Sequence, residues 1–147
     1  MPNLSALCAL PTIRTIIGGE QLAQLDSGTW DQLVAASSRP SPYLLSTWVR
    51  AWLAEPSFEY EPCIAIAERE GALVGVAPFV VQQRGRARIA SFVGTHESAL
   101  GDLLLGPAEG EATGRRLLEG VVASARPDAL DVFGLPGIAV ETIKIVP

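Results

Sequence analysis

The stretch Pro62–Val93, PCIAIAEREGALVGVAPFVVQQRGRARIASFV, decides the fold. Its opening, Cys63 to Ala67, is apolar at every position, the pattern of a strand covered on both faces. Glu70-Gly71 then turns the chain into a second strand, Leu73 to Gln83, which predicts a β-hairpin. Another turn around Arg84-Gly85-Arg86 leads to a third strand, Ile89 to Val93. Pro78 interrupts the second strand. Lacking an N–H, it cannot donate to a ladder, so it marks an edge, a bulge or a splayed pair. Arg84, Arg86 and Arg88 alternate along the hairpin and are expected on one side of it, as a solvated, edge-protecting set.

Outward from this hairpin the period changes. Upstream, Thr12 to Ile17 reads as a short strand closed by Gly18-Gly19. A helix follows with Trp30, Leu33 and Val34 at helical spacing, and Thr29 with Gln32 offers a T-x-x-Q capping box. Ser38 to Pro42 breaks it. In the next helix Leu45, Trp48, Val49, Trp52 and Leu53 fall at i, i+3, i+4, i+7 and i+8, one apolar stripe set to pack on a sheet. Ser46 is placed to cap its start, and Pro56 ends it. Downstream, Leu100 to Leu105 predicts another strand, and Glu111 to Ala125 a third helix with a face of Leu117, Leu118, Val121, Val122 and Ala125. Glu111 and Arg115 add an i,i+4 pair. Leu130 to Phe133 reads as a strand, Gly134 to Gly137 as a turn, and Ile138 to Val146 as a last β-like segment. This order predicts an α/β (α+β) fold, a mixed, mostly antiparallel sheet flanked by helices.

Composition narrows the partners. The chain has 147 residues, the size of one domain or a piece of a larger protein, and 48% of them are hydrophobic against 18% charged. Eleven Lys and Arg against sixteen Asp and Glu leave a net charge of −5, which disfavours nucleic acid. No uncharged run in the middle of the chain reaches the ~20 residues of a spanning helix. No Lys or Arg precedes Arg14, so the apolar start lacks the basic region of a secretory signal, and a cytoplasmic location is expected. Cys8, Cys63 and a single histidine cannot assemble a Cys/His zinc site, so no metal is expected.

Three places can carry chemistry. His96, in Gly94-Thr95-His96-Glu97-Ser98, is the only possible imidazole base; a solvated loop histidine is the other reading. Asp102 interrupts an apolar run, so it needs a hydrogen-bond partner, a strand end or solvent; it is either a structural carboxylate or a substrate-binding one. Together His96 and Asp102 could flank one pocket as catalytic residues. Finally, Gly106 to Gly114 feeds the third helix through a glycine-rich turn, able to offer backbone N–H groups to a pyrophosphate. Glu109 and Glu111 oppose that use, although an ordinary helix start also favours them.

Several blocks together resemble the FemAB/CelD-like acyltransferases of the GNAT superfamily. They are Trp30-Asp-Gln-Leu33, Ser41-Pro-Tyr-Leu-Leu-Ser-Thr-Trp48-Val-Arg-Ala-Trp52, Glu70-Gly-Ala-Leu-Val-Gly-Val-Ala-Pro78-Phe, Phe92-Val-Gly94-Thr, Gly101-Asp102-Leu-Leu and Leu130-Asp-Val-Phe-Gly134-Leu-Pro136. They run in the family's order from Trp30 to Pro136. The resemblance implies transfer of an acyl group from acetyl-CoA or acyl-CoA to an amine or hydroxyl of a small-molecule or saccharide acceptor, often in polysaccharide or cell-envelope biosynthesis. Such proteins resemble two GNAT-like halves in tandem. This chain corresponds to the first, with residues 1–11 a poorly ordered leader, 12–137 the half-domain, and 138–147 a terminal strand or the truncated start of the next segment. A C-terminal half, the main expected site of acyl-CoA binding, would be its partner. The superfamily's pyrophosphate pattern, R/Q-x-x-G-x-G/A, is nearest to Pro107-Ala-Glu-Gly110-Glu-Ala112, with proline in the leading place. Gly110, Ala112 and Gly114 are therefore the cofactor-binding candidates. A half-domain without a CoA site, serving for acceptor binding or pairing, is the alternative.

Overall fold

The computed structural model describes residues 10–17, 25–37, 40, 42–54, 60–93 and 103–131. Among them the chain runs β1 (Thr12–Ile16), α1 (Ser27–Ala36), a 3-10 turn (Pro42–Leu44), α2 (Ser46–Leu53), β2 (Glu61–Arg69), β3 (Ala72–Arg84), β4 (Ala87–Phe92), β5 (Leu104–Leu105), α3 (Glu111–Ala125) and β6 (Ala129–Asp131). The sheet order is β1-β2-β3-β4-β6, and β5 pairs with β3. Every pairing is antiparallel except β4 with β6, which α3 joins by a crossover. The fold is mixed α/β, an open and mostly antiparallel sheet with three helices. No helix of the described residues is long and apolar enough to cross a membrane.

Strand alternation divides the core. Ile64 and Ile66 of β2 and Val76 and Val80 of β3 point to α1 and α2, where they meet Trp30, Leu33, Val49 and Trp52. Cys63, Ala65 and Ala67, with Ala77, Phe79 and Val81, point the other way, to Leu117, Leu118 and Val121 of α3. Val76 to Phe79 is extended, Trp52 is buried and Trp48 is half-buried. The sheet is thus a shared wall between two layers of helix.

Local signals account for the turns. Between β2 and β3, Glu70 and Gly71 both have positive φ, 51° and 79°, as a two-residue hairpin with the right twist requires. Gly85 supplies φ 63° between β3 and β4. That second turn corrects the expectation for the arginines. Arg86 belongs to the loop, Gln83 opposes Arg88, and Arg84 opposes Ala87, so Arg84 and Arg88 project from opposite faces. Arg88 is turned to α3, where its Nη2 donates to the Ala125 carbonyl oxygen at 3.0 Å and so closes the helix's C-terminus.

Both upstream caps differ from the local reading. Asp26 caps α1, accepting from the Gly28 N–H at 3.0 Å and the Thr29 hydroxyl at 2.7 Å. These bonds hold its carboxyl below the ordinary value, the Thr29 bond contributing most. Thr29 therefore serves as a donor within the first turn. Leu45 is the N-cap of α2 and has no side-chain bond, while the Ser46 N–H and hydroxyl both donate to the Asp31 carboxylate, at 2.9 and 3.1 Å. The cap of α2 comes from α1.

Pro78 does not interrupt β3, which runs unbroken from Ala72 to Arg84 in central position, with Ile64 opposite Pro78 on the β2 side. The irregularity in that ladder lies elsewhere, between Ala67 and Glu68. Pro78 acts on the other flank. The Val93 N–H donates to the Pro78 carbonyl oxygen at 2.9 Å, and the proline has no N–H to return. There the pairing of β4 with β3 stops, and β3 next pairs with Leu104 and Leu105 of β5. Pro78 thus stands where the β4 pairing ends, rather than as an interruption of β3. The β6 strand begins at Ala129, and the expected strand at 100–105 is Leu104–Leu105 among the described residues. The segment Ile138 to Val146 lies outside them.

Candidate functional site

Beyond Pro78 along β3, β5 leads directly to the start of α3. The Gly106 N–H donates to the Val74 carbonyl oxygen at 2.8 Å, and the Glu109 N–H to the Gly106 carbonyl oxygen at 3.0 Å. Val74 is the residue without a partner where the β2–β3 register shifts, so the bulged strand holds the loop. The loop ends at Gly110, the N-cap of α3, which has extended backbone (φ −130°) and no side chain to close the helix. A Cβ built there meets nothing within 4 Å. Gly110 and Ala112 are exposed, so the first turn offers its backbone N–H groups at an open surface. Gly114 is different: it is buried, and its N–H donates to the Gly110 carbonyl oxygen at 3.2 Å inside the helix. Two of the three cofactor candidates therefore come together at the surface, and the third supports the helix.

The two glutamates that oppose an anion are both paired. Arg69, at the end of β2, donates from Nε to Glu109 Oε1 at 2.5 Å, and this bond holds the guanidinium above its ordinary pKa. The Glu109 side chain is only 5% exposed and that of Arg69 24%, so the carboxylate is the desolvated partner. Its other oxygen receives the Thr113 hydroxyl at 3.5 Å, a long contact. Glu111 meets Arg115 at 3.1 Å on the exposed face of α3, where water screens the pair. Arg69 and Glu109 are partners that sequence reading missed, because 40 positions separate them and no local pattern joins hairpin end to helix start.

One concavity borders this loop and another runs along α3. One, of about 200 Å³, lies between α1, the β2–β3 hairpin and the loop, walled by Leu33, Leu73, Val74 and Pro107 with Arg69 and Glu109 beside them. The other is a broad shallow groove of about 590 Å³ along the outer side of α3, beside Leu10, Ala112, Arg115 and Arg116. His96 and Asp102 lie outside the described residues, so their proposed common pocket has no geometry here. Cys63 is buried in the α3-side core, and burial pushes its thiol up to about 11, partly offset by the charge of Arg88. Among the described residues no three of His, Cys, Asp and Glu come together to hold a metal. No protein-family model matches the chain, and no curated protein matches it in sequence.

Proposed function

We propose that this chain is the N-terminal half of an acyl-CoA-dependent acyltransferase of the FemAB/CelD-like kind, moving an acyl group onto an amine or hydroxyl of a small-molecule or saccharide acceptor. One observation carries the reading. The pairing of β4 with β3 ends beside Pro78, and farther along β3 the short strand β5 runs through a glycine-bounded loop into the open N-terminus of α3. A break in strand pairing beside a helix start suits a thioester cofactor, with backbone donors for its pyrophosphate. Arg69 and Arg115 balance the carboxylates that would repel the phosphates.

In this reaction the acceptor's lone pair attacks the thioester carbonyl carbon, the carbon–sulfur bond breaks and the thiol leaves. The protein's part is positioning, a donor to the developing oxyanion and a route for the acceptor's proton. Gly110 and Ala112 hold the cofactor from the start of α3. His96 and Asp102 are proposed for the proton; unchanged turnover in His96→Ala and Asp102→Asn would remove them. A second reading, a pairing or acceptor-binding module without CoA activity, is favoured by Pro107, which stands where the superfamily pattern has Arg or Gln.

Thermal unfolding with acetyl-CoA separates the two. A ligand binding only the folded chain at about 100 times its Kd adds about 2.7 kcal/mol, which raises Tm by several degrees. A saturable shift that Gly110→Glu abolishes supports the transferase. No shift at millimolar ligand, or one indifferent to Gly110→Glu, leaves the second reading.

A further inference from the structure

The cavity beside the loop has three properties that belong together. Leu33, Leu73, Val74 and Pro107 make its wall apolar. Its volume of about 200 Å³ exceeds the ~150 Å³ of an apolar cavity that holds one benzene, so it takes about six to eight non-hydrogen atoms. Glu109, nine-tenths buried, adds a carboxylate whose Oε1 is held by Arg69 and whose Oε2 has, among the described residues, the 3.5 Å contact from Thr113 alone. A buried carboxylate oxygen so weakly served takes a further donor favourably.

The sign of that donor follows from its surroundings. Arg69 already places one positive charge against Glu109, so an ammonium would meet like charge in a poorly solvated site. A neutral hydroxyl avoids this repulsion and still donates to Oε2. We propose that the cavity is the acceptor pocket and that it takes a small aliphatic alcohol, chain inward among Leu33, Leu73 and Val74 and hydroxyl on Glu109. As an acceptor pocket it rests on the transferase reading; as a binding site for the alcohol it does not.

The test uses the full chain with 13C-labelled Leu and Val methyl groups, titrated with 1-hexanol and, separately, 1-hexylamine. Saturable shifts of the Leu33, Leu73 and Val74 methyls are expected with hexanol, at an affinity at least tenfold above that of hexylamine. Leu73→Trp, at a half-buried position on the wall, fills the cavity and should abolish them while the rest of the spectrum stays folded. Glu109→Gln should narrow the hexanol preference. No saturable shift up to solubility, equal affinity for the amine, or hexanol binding that survives Leu73→Trp would overturn the proposal. Hexanol binding without any acetyl-CoA shift keeps the alcohol site and removes its acceptor role. An acetyl-CoA shift without hexanol binding keeps the transferase and removes this pocket.

Discussion

The two faces of the sheet are packed by opposite means. Toward α1 and α2 the central strands present Ile64, Ile66, Val76 and Val80, and the helices answer with Trp30 and Trp52. Toward α3 they present the small residues Cys63, Ala65, Ala67, Gly75 and Ala77, with Phe79 and Val81 farther along β3. Small residues let α3 come close. A Cβ on Gly120 would stand 2.7 Å from Ile13 Cγ2, and one on Gly75 would stand 3.1 Å from Leu117 Cδ1. Bulk holds the first interface and proximity the second. The first should suffer from atoms removed, the second from atoms added.

Trp30→Ala should have the largest effect, a loss of about 3–5 kcal/mol. The side chain is 1% exposed and its Nε1 donates to the Leu44 carbonyl oxygen at 2.7 Å, so both a cavity and an unpaired acceptor result. A denaturant midpoint that hardly moves would mean that α1 is not anchored by bulk. Next comes the buried thiol of the close-packed face. Below pH 9 Cys63 is protonated folded and unfolded; above it the unfolded state ionises first. Stability should therefore fall by about 2–3 kcal/mol as pH rises from 9 toward 11, at about 1.4 kcal/mol per unit of displacement. Cys63→Ala should flatten that slope, and an unchanged slope would show that the thiol meets water.

Gly120→Ala tests proximity itself. Overpacking costs about 1–3 kcal/mol, and alanine's helix propensity returns about 1, leaving a net loss near 1 kcal/mol. Ile13→Ala in the same chain removes the opposing methyl, so the two changes together should cost less than their sum in a double-mutant cycle. Gly110→Ala, at the N-cap of the same helix and facing open space, meets no clash and loses only glycine's cap preference, under about 1 kcal/mol, a loss that Ile13→Ala should not relieve. If both alanines behave alike in urea unfolding, the contrast between the faces fails.

Much of the fold was legible locally. Glu111 to Ala125 needed only its apolar period, an acidic first turn and Pro127, and α3 has those bounds. The Glu70-Gly71 turn declared itself through the glycine between two apolar runs. The features that escaped depend on distant partners. Ser46 looks like a cap for its own helix, but Asp31 satisfies it from another. Arg84, Arg86 and Arg88 look like one stripe until a two-residue turn takes Arg86 out of the alternation. At the candidate site, the glycine-bounded loop was visible, whereas the neutralisation of Glu109 by Arg69 was not.

By itself the sequence determined the elements, because apolar period, proline and glycine act on dihedral angles within a few residues. It also showed that β2 is covered on both faces, since Cys63 to Ala67 is apolar at every position. Tertiary structure alone decided how Pro78 is used. A missing N–H has no meaning until a neighbouring strand is there to be denied it, and that neighbour is β4. The charge of the loop before α3 was settled in the same way, because electrostatic pairing depends on separation in space and Arg69 reaches Glu109 only across the folded hairpin.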